Sequence, residues 1–431
     1  MTFAFYTLGC KVNQYETQAL SGQLESAGFS AVSLEESPDF IIVNSCTVTA
    51  ESNRKTRQAV RRLKNSNPKS CLVLTGCYPQ AFPDEMQSFT AADIVLGNTT
   101  YADFISHLRR YATHPERRVY IPEHKPAEIF DTPTITQFQN KTRAEIKIQD
   151  GCNRFCSYCI IPKSRGRIRS KPLGLISLET EALAKNGYKE IVLVGINLSA
   201  YGQDSGNTLS EAVEAAAAVQ GIERVRLGSL EFDQIDDAQL ERLAKCKKFC
   251  PQFHLSLQSG SDKILKAMNR HYTTAEYSGF VEKLRRQFKN PSITTDIIVG
   301  FPGESEADFQ ETLRYAEQLQ LARSHIFPYS RREGTKAATM TGQITAAVKQ
   351  ERCRRLIKAT AASENAFLAS QVGKTVRVLF EFCKDGFYEG YSENYTRVKV
   401  YSPNNLCGQI HPVKITQAEH DFCYADLCNQ N

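Results

Sequence analysis

The chain reads as an α/β protein of three modules: an open parallel α/β sheet, then a partial (β/α)6 barrel, then a small all-β barrel. Three observations predict this. Strand-length apolar runs alternate with helical stretches through residues 1–112, the pattern of a parallel sheet. Six strand-then-helix units can be marked off between 138 and 368, as in a barrel or part of one. From 369 to 431 the pattern changes to short strands separated by turn residues, which suits a small barrel of OB-like type.

In the first module, Phe3–Leu8 is an apolar run ending at Gly9-Cys10, and Tyr15–Ala27 has helical spacing that stops at Gly28. Asp39–Asn44 is a second strand, ending at Ser45-Cys46-Thr47, and a basic helix follows from about Ala50 to Asn65. Cys71–Thr75 is a third strand, ending at Gly76-Cys77, and Ile94–Leu96 a fourth. Cys10, Cys46 and Cys77 thus each lie just past the C-terminal end of a different strand. In an open parallel sheet those ends share one edge, where ligands bind. Three isolated buried thiols are the plainer alternative for any one of them.

Residues 113–137 carry Pro115, Pro122, Pro126 and Pro133 with few apolar residues, and read as an exposed linker. The six central strands are expected near Ala144–Gln149, Glu190–Val194, Arg224–Leu227, Phe253–Leu257, Thr294–Val299 and Ser324–Phe327. Sites in such barrels sit at the C-terminal ends of the strands. Distinctive residues follow each strand: Gly151–Cys159 the first, Gly195-Ile-Asn197 the second, Ser229-Leu-Glu231 the third, Gln258-Ser-Gly260 the fourth and Gly300-Phe-Pro-Gly-Glu304 the fifth. The last module has expected strands at Thr375–Phe382, Phe387–Tyr391, Thr396–Val400 and Gly408–Ile415. Its Phe387, Tyr388, Tyr391, Tyr395 and Tyr401 lie among Arg377, Arg397 and Lys399, a mixture suited to base stacking and backbone attraction, although about half must be core in so small a barrel.

The segment Gly151-Cys-Asn-Arg-Phe-Cys-Ser-Tyr-Cys159 places Cys152, Cys156 and Cys159 in a C-x3-C-x2-C run. Soft thiolates at this spacing suit one iron–sulfur cluster, or a zinc ion whose fourth ligand lies elsewhere. The run resembles that of the radical S-adenosylmethionine (SAM) enzymes. There, three cysteines hold a 4Fe–4S cluster whose remaining iron is chelated by SAM, and an electron passed to SAM releases a 5′-deoxyadenosyl radical. Two three-cysteine sets in this order resemble the methylthiotransferase family in particular. The stretches Thr7-Leu-Gly-Cys-Lys-Val-Asn-Gln-Tyr-Glu-Thr17, Asn44-Ser-Cys-Thr-Val-Thr49 and Thr75-Gly-Cys-Tyr-Pro-Gln80 are similar to the branch that methylthiolates carbon-2 of N6-threonylcarbamoyladenosine at position 37 of tRNA. The isopentenyladenosine branch usually has Gln-Met-Asn after the first cysteine, and the ribosomal-protein branch Pro-Lys-Asn. Here the residues are Lys11-Val12-Asn13.

The resemblance implies a radical SAM core in the barrel, a second 4Fe–4S cluster on Cys10, Cys46 and Cys77 that carries sulfur, and a TRAM-like RNA-binding module at the end. Two SAM molecules would serve each turnover: one methylates the sulfur and one supplies the radical. It implies SAM contacts at Tyr158, Gly195, Asn197, Glu231, Gln258 and Arg270, with no catalytic residue beyond the cluster ligands. As partners it implies the tRNA anticodon loop, an electron-donor protein and a sulfur source. The chain departs from the family's usual wording after Cys159, at Ile-Ile-Pro-Lys163, and at Glu231-Phe-Asp233. Methylthiolation of isopentenyladenosine or of a ribosomal protein is the alternative. A non-enzymatic zinc-containing RNA-binding protein is a further one.

Charge and composition agree. The net charge of +6 permits an anionic partner without demanding one. Basic runs at Arg54–Lys64, Lys163–Lys171, Arg331-Arg332 and Arg352–Arg355 are expected to contact phosphates. No run approaches the 18 or so apolar residues of a membrane span, and the N-terminus has no signal-peptide pattern, so the cytoplasm is expected. Fourteen cysteines in a reducing compartment point to metal or catalysis rather than disulfides.

Overall fold

The computed structural model describes residues 1–125, 128–136, 138 and 141–428, so the expectation for Pro126 lies outside the described residues. The first sheet has six parallel strands in the order β2-β1-β3-β4-β5-β6: β1 (Thr2–Thr7), β2 (Ser30–Ala31), β3 (Phe40–Ser45), β4 (Cys71–Gly76), β5 (Ile94–Leu96) and β6 (Arg118–Tyr120). Alternate residues of β3 serve two cores. Phe40 and Ile42 pack with Leu20 and Leu24 on one face, and Ile41 and Val43 with Val60 and Leu63 on the other. That two-sided burial is why these strands are unbroken apolar runs. The expected helices appear at Lys11–Ser26 and Ala50–Ser66.

The linker was expected to be exposed and irregular, and the structure corrects this. Arg118–Tyr120 pairs with β5 as an edge strand. Further on, Thr132, Ile135 and Phe138 are buried, the last two in the core of the central module. An edge strand three residues long and half exposed carries almost no apolar signal.

The central strands form one parallel arc: β7 (Ala144–Asp150), β9 (Glu190–Gly195), β10 (Arg224–Leu227), β11 (Ser229–Leu230), β12 (Gln252–Gln258), β13 (Ser292–Val299) and β14 (Arg323–Pro328). The short β8 (Arg169–Ser170) pairs antiparallel with the end of β7. The third expected strand is β10, paired with β9; past Gly228 the residues expected to follow it, Ser229–Leu230, form a separate short strand paired with β12. That division breaks the arc into two four-stranded sheets, β10-β9-β7-β8 and β11-β12-β13-β14.

The final module is a closed barrel in the order β15-β16-β17-β19-β18, built from β15 (Thr375–Lys384), β16 (Phe387–Ser392), β17 (Arg397–Tyr401), β18 (Ile410–Ala418) and β19 (Cys423–Leu427). It is anchored on the arc by two buried arginines of β10. Arg224 donates to the carbonyls of Tyr391 (3.1 Å) and Arg377 (2.6 Å). Arg226 donates to those of Glu393 (2.9 Å) and Ser392 (3.1 Å) while pairing with buried Glu190 at 2.9 Å.

Of the aromatics expected to stack on bases, Tyr391 and Tyr395 stack on each other at 4.4 Å under the guanidinium of Arg143, and so belong to this junction. Tyr388 is buried, whereas Phe387 and Tyr401 remain exposed and pack edge to face. Among the described residues no helix is long and apolar enough to cross a membrane.

Candidate active site

The loop Gly151–Ile160 leaves the C-terminal end of β7 and is sewn down by backbone bonds. Cys152 N donates to Gly166 O (3.0 Å), Ser157 N to Met268 O (2.9 Å) and Cys159 N to Cys156 O (3.0 Å), and Ser157 O accepts from Ala337 N (2.7 Å). Gly151 sits at φ +73°, and a Cβ there would lie 1.8 Å from the carbonyl oxygen of Arg167. No side chain fits, so Gly151→Ala must displace the loop or the backbone at Arg167, at a backbone cost of about 1–3 kcal/mol before the clash is counted. The expected outcome is a folded protein that takes up roughly half the wild-type iron on anaerobic reconstitution. Full uptake would mean the loop tolerates the shift.

Cys10, Cys46 and Cys77 follow β1, β3 and β4, which are adjacent in the sheet. The three lie near enough for the charge of Cys46 to act on both Cys10 and Cys77. Asn13 organises the group. It is fully buried. Its Oδ1 accepts from Cys10 N (3.3 Å) and Cys10 Sγ (3.4 Å), and its Nδ2 donates to Asn44 Oδ1 (3.2 Å) and Ser45 O (3.3 Å). Arg165 Nε donates to Cys77 Sγ at 3.1 Å. Arg165 lies on the short helix Ile161–Arg165, directly after the Cys159 loop, so one helix carries contacts from one cysteine set to the other.

Both sets suit iron–sulfur clusters in donor type, three soft sulfurs apiece. Burial pushes the thiols of Cys77 and Cys159 up to about 12, and raises that of Cys152. Cations oppose that rise. Arg165 works on Cys77 and Arg270 on Cys159, and Arg270 Nη1 also donates to Cys156 Sγ at 3.3 Å. Such outer contacts favour the thiolate and tune what it binds. Among the described residues no three Cys, His, Asp or Glu side chains converge as a site for one metal ion. A four-iron cluster makes a different demand, since each thiolate binds its own iron.

The other expected residues gather around the cysteine loop in unequal ways. Glu231 and Arg270, expected as separate contacts, form an ion pair with each other, and Arg270 Nε also donates to Tyr272 Oη at 3.0 Å. Asn197 is buried, and neither atom of its side-chain amide has a partner among the described residues, the condition of a group awaiting a polar ligand. Gly195 ends β9 against the side chain of Gln149, whose Oε1 accepts from Asn197 N at 2.7 Å. Gln258 has φ +69° where the β12–β13 register slips. It lines a cavity of about 650 Å³ with Tyr158, Asp296, Ile298, Phe327 and Tyr329. The opposite wall is Val48–Glu51, beginning two residues after Cys46. The cavity therefore touches segments of both cysteine sets, one from each module.

The basic runs are corrected in part. Arg165 and Lys171 are almost fully buried and Arg169 and Arg352 nearly so, engaged with Glu16, Glu179, Glu128 and Glu304 respectively. Arg54, Lys55, Arg61, Arg62, Lys163 and Arg167 are exposed and keep the phosphate-contact reading available. Glu16 itself was missed. Its signal was a charge on the helix face that carries Val12, Ala19 and Leu20, all buried.

Sequence comparison agrees with this geometry. Residues 146–316 match the Radical SAM superfamily, and residues 2–97 match Uncharacterized protein family UPF0004. The chain is 34% identical to the threonylcarbamoyladenosine tRNA methylthiotransferase MtaB of Bacillus subtilis, over 98% of this chain and 95% of that protein. Its identity to the MtaB of Thermotoga maritima is 37%, over 99% and 98%. It is also 33% identical to a tRNA-2-methylthio-N(6)-dimethylallyladenosine synthase of Caldicellulosiruptor saccharolyticus, over 99% and 92%. Among solved structures, the radical SAM methyltransferase TsrM of Kitasatospora setae superposes with TM-score 0.59 at 14% identity, over 78% of this chain and 77% of that one. That likeness concerns the fold alone. The sequence likeness runs from the first strand to the final barrel, and the chain belongs to the radical SAM methylthiotransferase family.

Proposed function

We propose that the chain methylthiolates carbon-2 of N6-threonylcarbamoyladenosine at position 37 of tRNA, using two SAM molecules and two 4Fe–4S clusters. The observation that carries this reading is the cavity lined by segments that adjoin the two cysteine sets in sequence, Val48–Glu51 after Cys46 and Tyr158 before Cys159, together with Gln258. Carbon-2 of adenine has neither an acidic proton nor a leaving group, so its hydrogen is replaced by a radical route supplied by a cofactor. When bound, the cluster on Cys152, Cys156 and Cys159 supplies with SAM the carbon radical, and the cluster on Cys10, Cys46 and Cys77 supplies the sulfur-bearing iron. The protein's own residues hold, orient and shield. Asn197 offers an unpaired amide to SAM beside the cysteine loop, the Arg270–Glu231 pair fixes positive charge at Cys156, and Tyr158 and Gln258 border the space for the adenine. Bases of an anticodon loop are accessible for such insertion. Exposed Phe387 and Tyr401 on the final barrel, and the exposed basic face of the Ala50–Ser66 helix, supply stacking and phosphate contacts.

The substrate is favoured by Lys11-Val12-Asn13 and by the names of the most similar relatives. Methylthiolation of isopentenyladenosine is the second reading, since the dimethylallyladenosine synthase is nearly as similar over the same length. Nucleoside analysis of bulk tRNA from a deletion strain separates them. The 2-methylthio-threonylcarbamoyl nucleoside is expected to disappear and to return on complementation. An unchanged level would remove this substrate from the account.

A further inference from the structure

The cavity between the cysteine sets is walled mainly by apolar groups: Val48, Ala50, Ile298, Phe327, Pro328 and Ala346. It has three charged side chains, Glu51, Asp296 and Lys349. Of the two acids, Glu51 pairs with Arg54 at 2.5 Å, and Asp296 lies 3.2 Å from His254 Nε2. Lys349, in the first turn of the helix Ala346–Ala369, has no carboxylate partner among the described residues. Its Nζ donates to a single acceptor, Tyr329 O at 3.0 Å, and sits 5.4 Å from the Tyr329 ring centre. An ammonium has three donors, so two remain for a ligand. Burial lowers its pKa, the sign of a cation held without an anion to offset its lost hydration.

The fold makes room for this lysine. Gly300, after β13, has φ +73°, and a Cβ there would lie 2.2 Å from Lys349 Cγ. The aliphatic stem therefore passes over a position where only hydrogen fits, and the head reaches the cavity wall.

We propose that Lys349 recognises the carboxylate of the threonylcarbamoyl group. This rests on the substrate reading above and adds to it the residue that separates an anionic N6 substituent from an apolar one of similar reach. A carboxylate brought into an apolar cavity needs a cation or bound donors. Lys349 is the cation there without an anion, whereas an isopentenyl group would leave its charge unmatched.

The test uses the full chain with both clusters reconstituted, and three anticodon stem-loop RNAs. One carries threonylcarbamoyladenosine, one its threonyl methyl ester and one isopentenyladenosine. Wild type is expected to bind the free acid most tightly. Lys349→Met is expected to weaken that binding roughly 10- to 100-fold and to leave the ester nearly unaffected, and Lys349→Arg to restore preference for the acid. Iron content of each variant reports intact cluster sites. Equal weakening of acid and ester would reduce Lys349 to a packing role and overturn the inference. A wild type that prefers the acid while Lys349→Met matches it would overturn the inference and leave the substrate reading standing. A wild type that binds the isopentenyl RNA as tightly as the acid would overturn both.

Discussion

Cys10→Ala and Cys152→Ala are each expected to bind about four irons after anaerobic reconstitution, against about eight for wild type, and the double variant none. Each set has its own three sulfurs, although the Ile161–Arg165 helix links the two scaffolds. Cys10 is held by Asn13, itself anchored on β3 through Asn44 and Ser45, while Cys152 hangs from Gly166 and the end of β7. Among the described residues no hydrogen bond joins a thiol of one set to a thiol of the other. The two variants should differ in chemistry as well. Cys152→Ala is expected to form no 5′-deoxyadenosine from SAM under reducing conditions, whereas Cys10→Ala should form it and yield no methylthiolated product. Iron counting and product analysis on the same samples check both halves. Wild-type iron content in Cys10→Ala would remove the second cluster from the mechanism.

The parts of this arrangement legible in the sequence are those with a local signature. β3 and β4 begin with four apolar residues each because both faces are covered, and the cysteines that follow them mark a common edge once the sheet is known to be parallel. β19 was missed, since Cys423–Leu427 has only alternate buried residues and mixed polarity. The deeper gap concerns charge. Lys163–Lys171 looks like a phosphate-binding run because sequence displays one side of an ion pair at a time. The partner of Arg165 is Glu16, 149 residues away, and no periodicity links them.

Lys11-Val12-Asn13 holds a similar lesson. Asn13, common to the wording of all three family branches, is the buried tie on Cys10. Val12 packs against Val192 and Val194 of the arc, and Lys11 lines a separate cavity with residues of the arc and of the final barrel. The two residues that differ from the usual wording of the other branches thus meet the arc and the final barrel, and the one shared with them serves the cysteine. The non-enzymatic zinc reading gives way to family membership.

Glu16→Ala is expected to cost about 3–5 kcal/mol, the penalty for uncovering a buried charge. Glu16 is fully buried. Its Oε1 accepts from Lys147 Nζ at 2.7 Å and from Arg165, and its Oε2 accepts from Arg165 Nη2 at 2.9 Å. Without it, Lys147 and Arg165 share Asp150 alone, at 2.6 and 3.5 Å, and Arg169 draws on the same carboxylate at 3.4 Å. Glu16→Gln should cost less, because an amide oxygen still accepts one of these bonds.

The pH dependence gives a second readout. Burial would push the Glu16 carboxyl up, but Arg165 and Lys147 overcome it and hold the group below its usual value. A carboxyl depressed on folding adds stability that is full above the unfolded value, about 4.5, and is lost as pH falls through the folded one. The stability gap between wild type and Glu16→Gln should therefore be widest near neutrality and narrow below about pH 4. Urea titrations at several pH values, following the first transition of this multi-module chain, check both magnitude and slope. A gap independent of pH would mean that Glu16 is held by packing, with Arg165 then left at Cys77 by its helix alone.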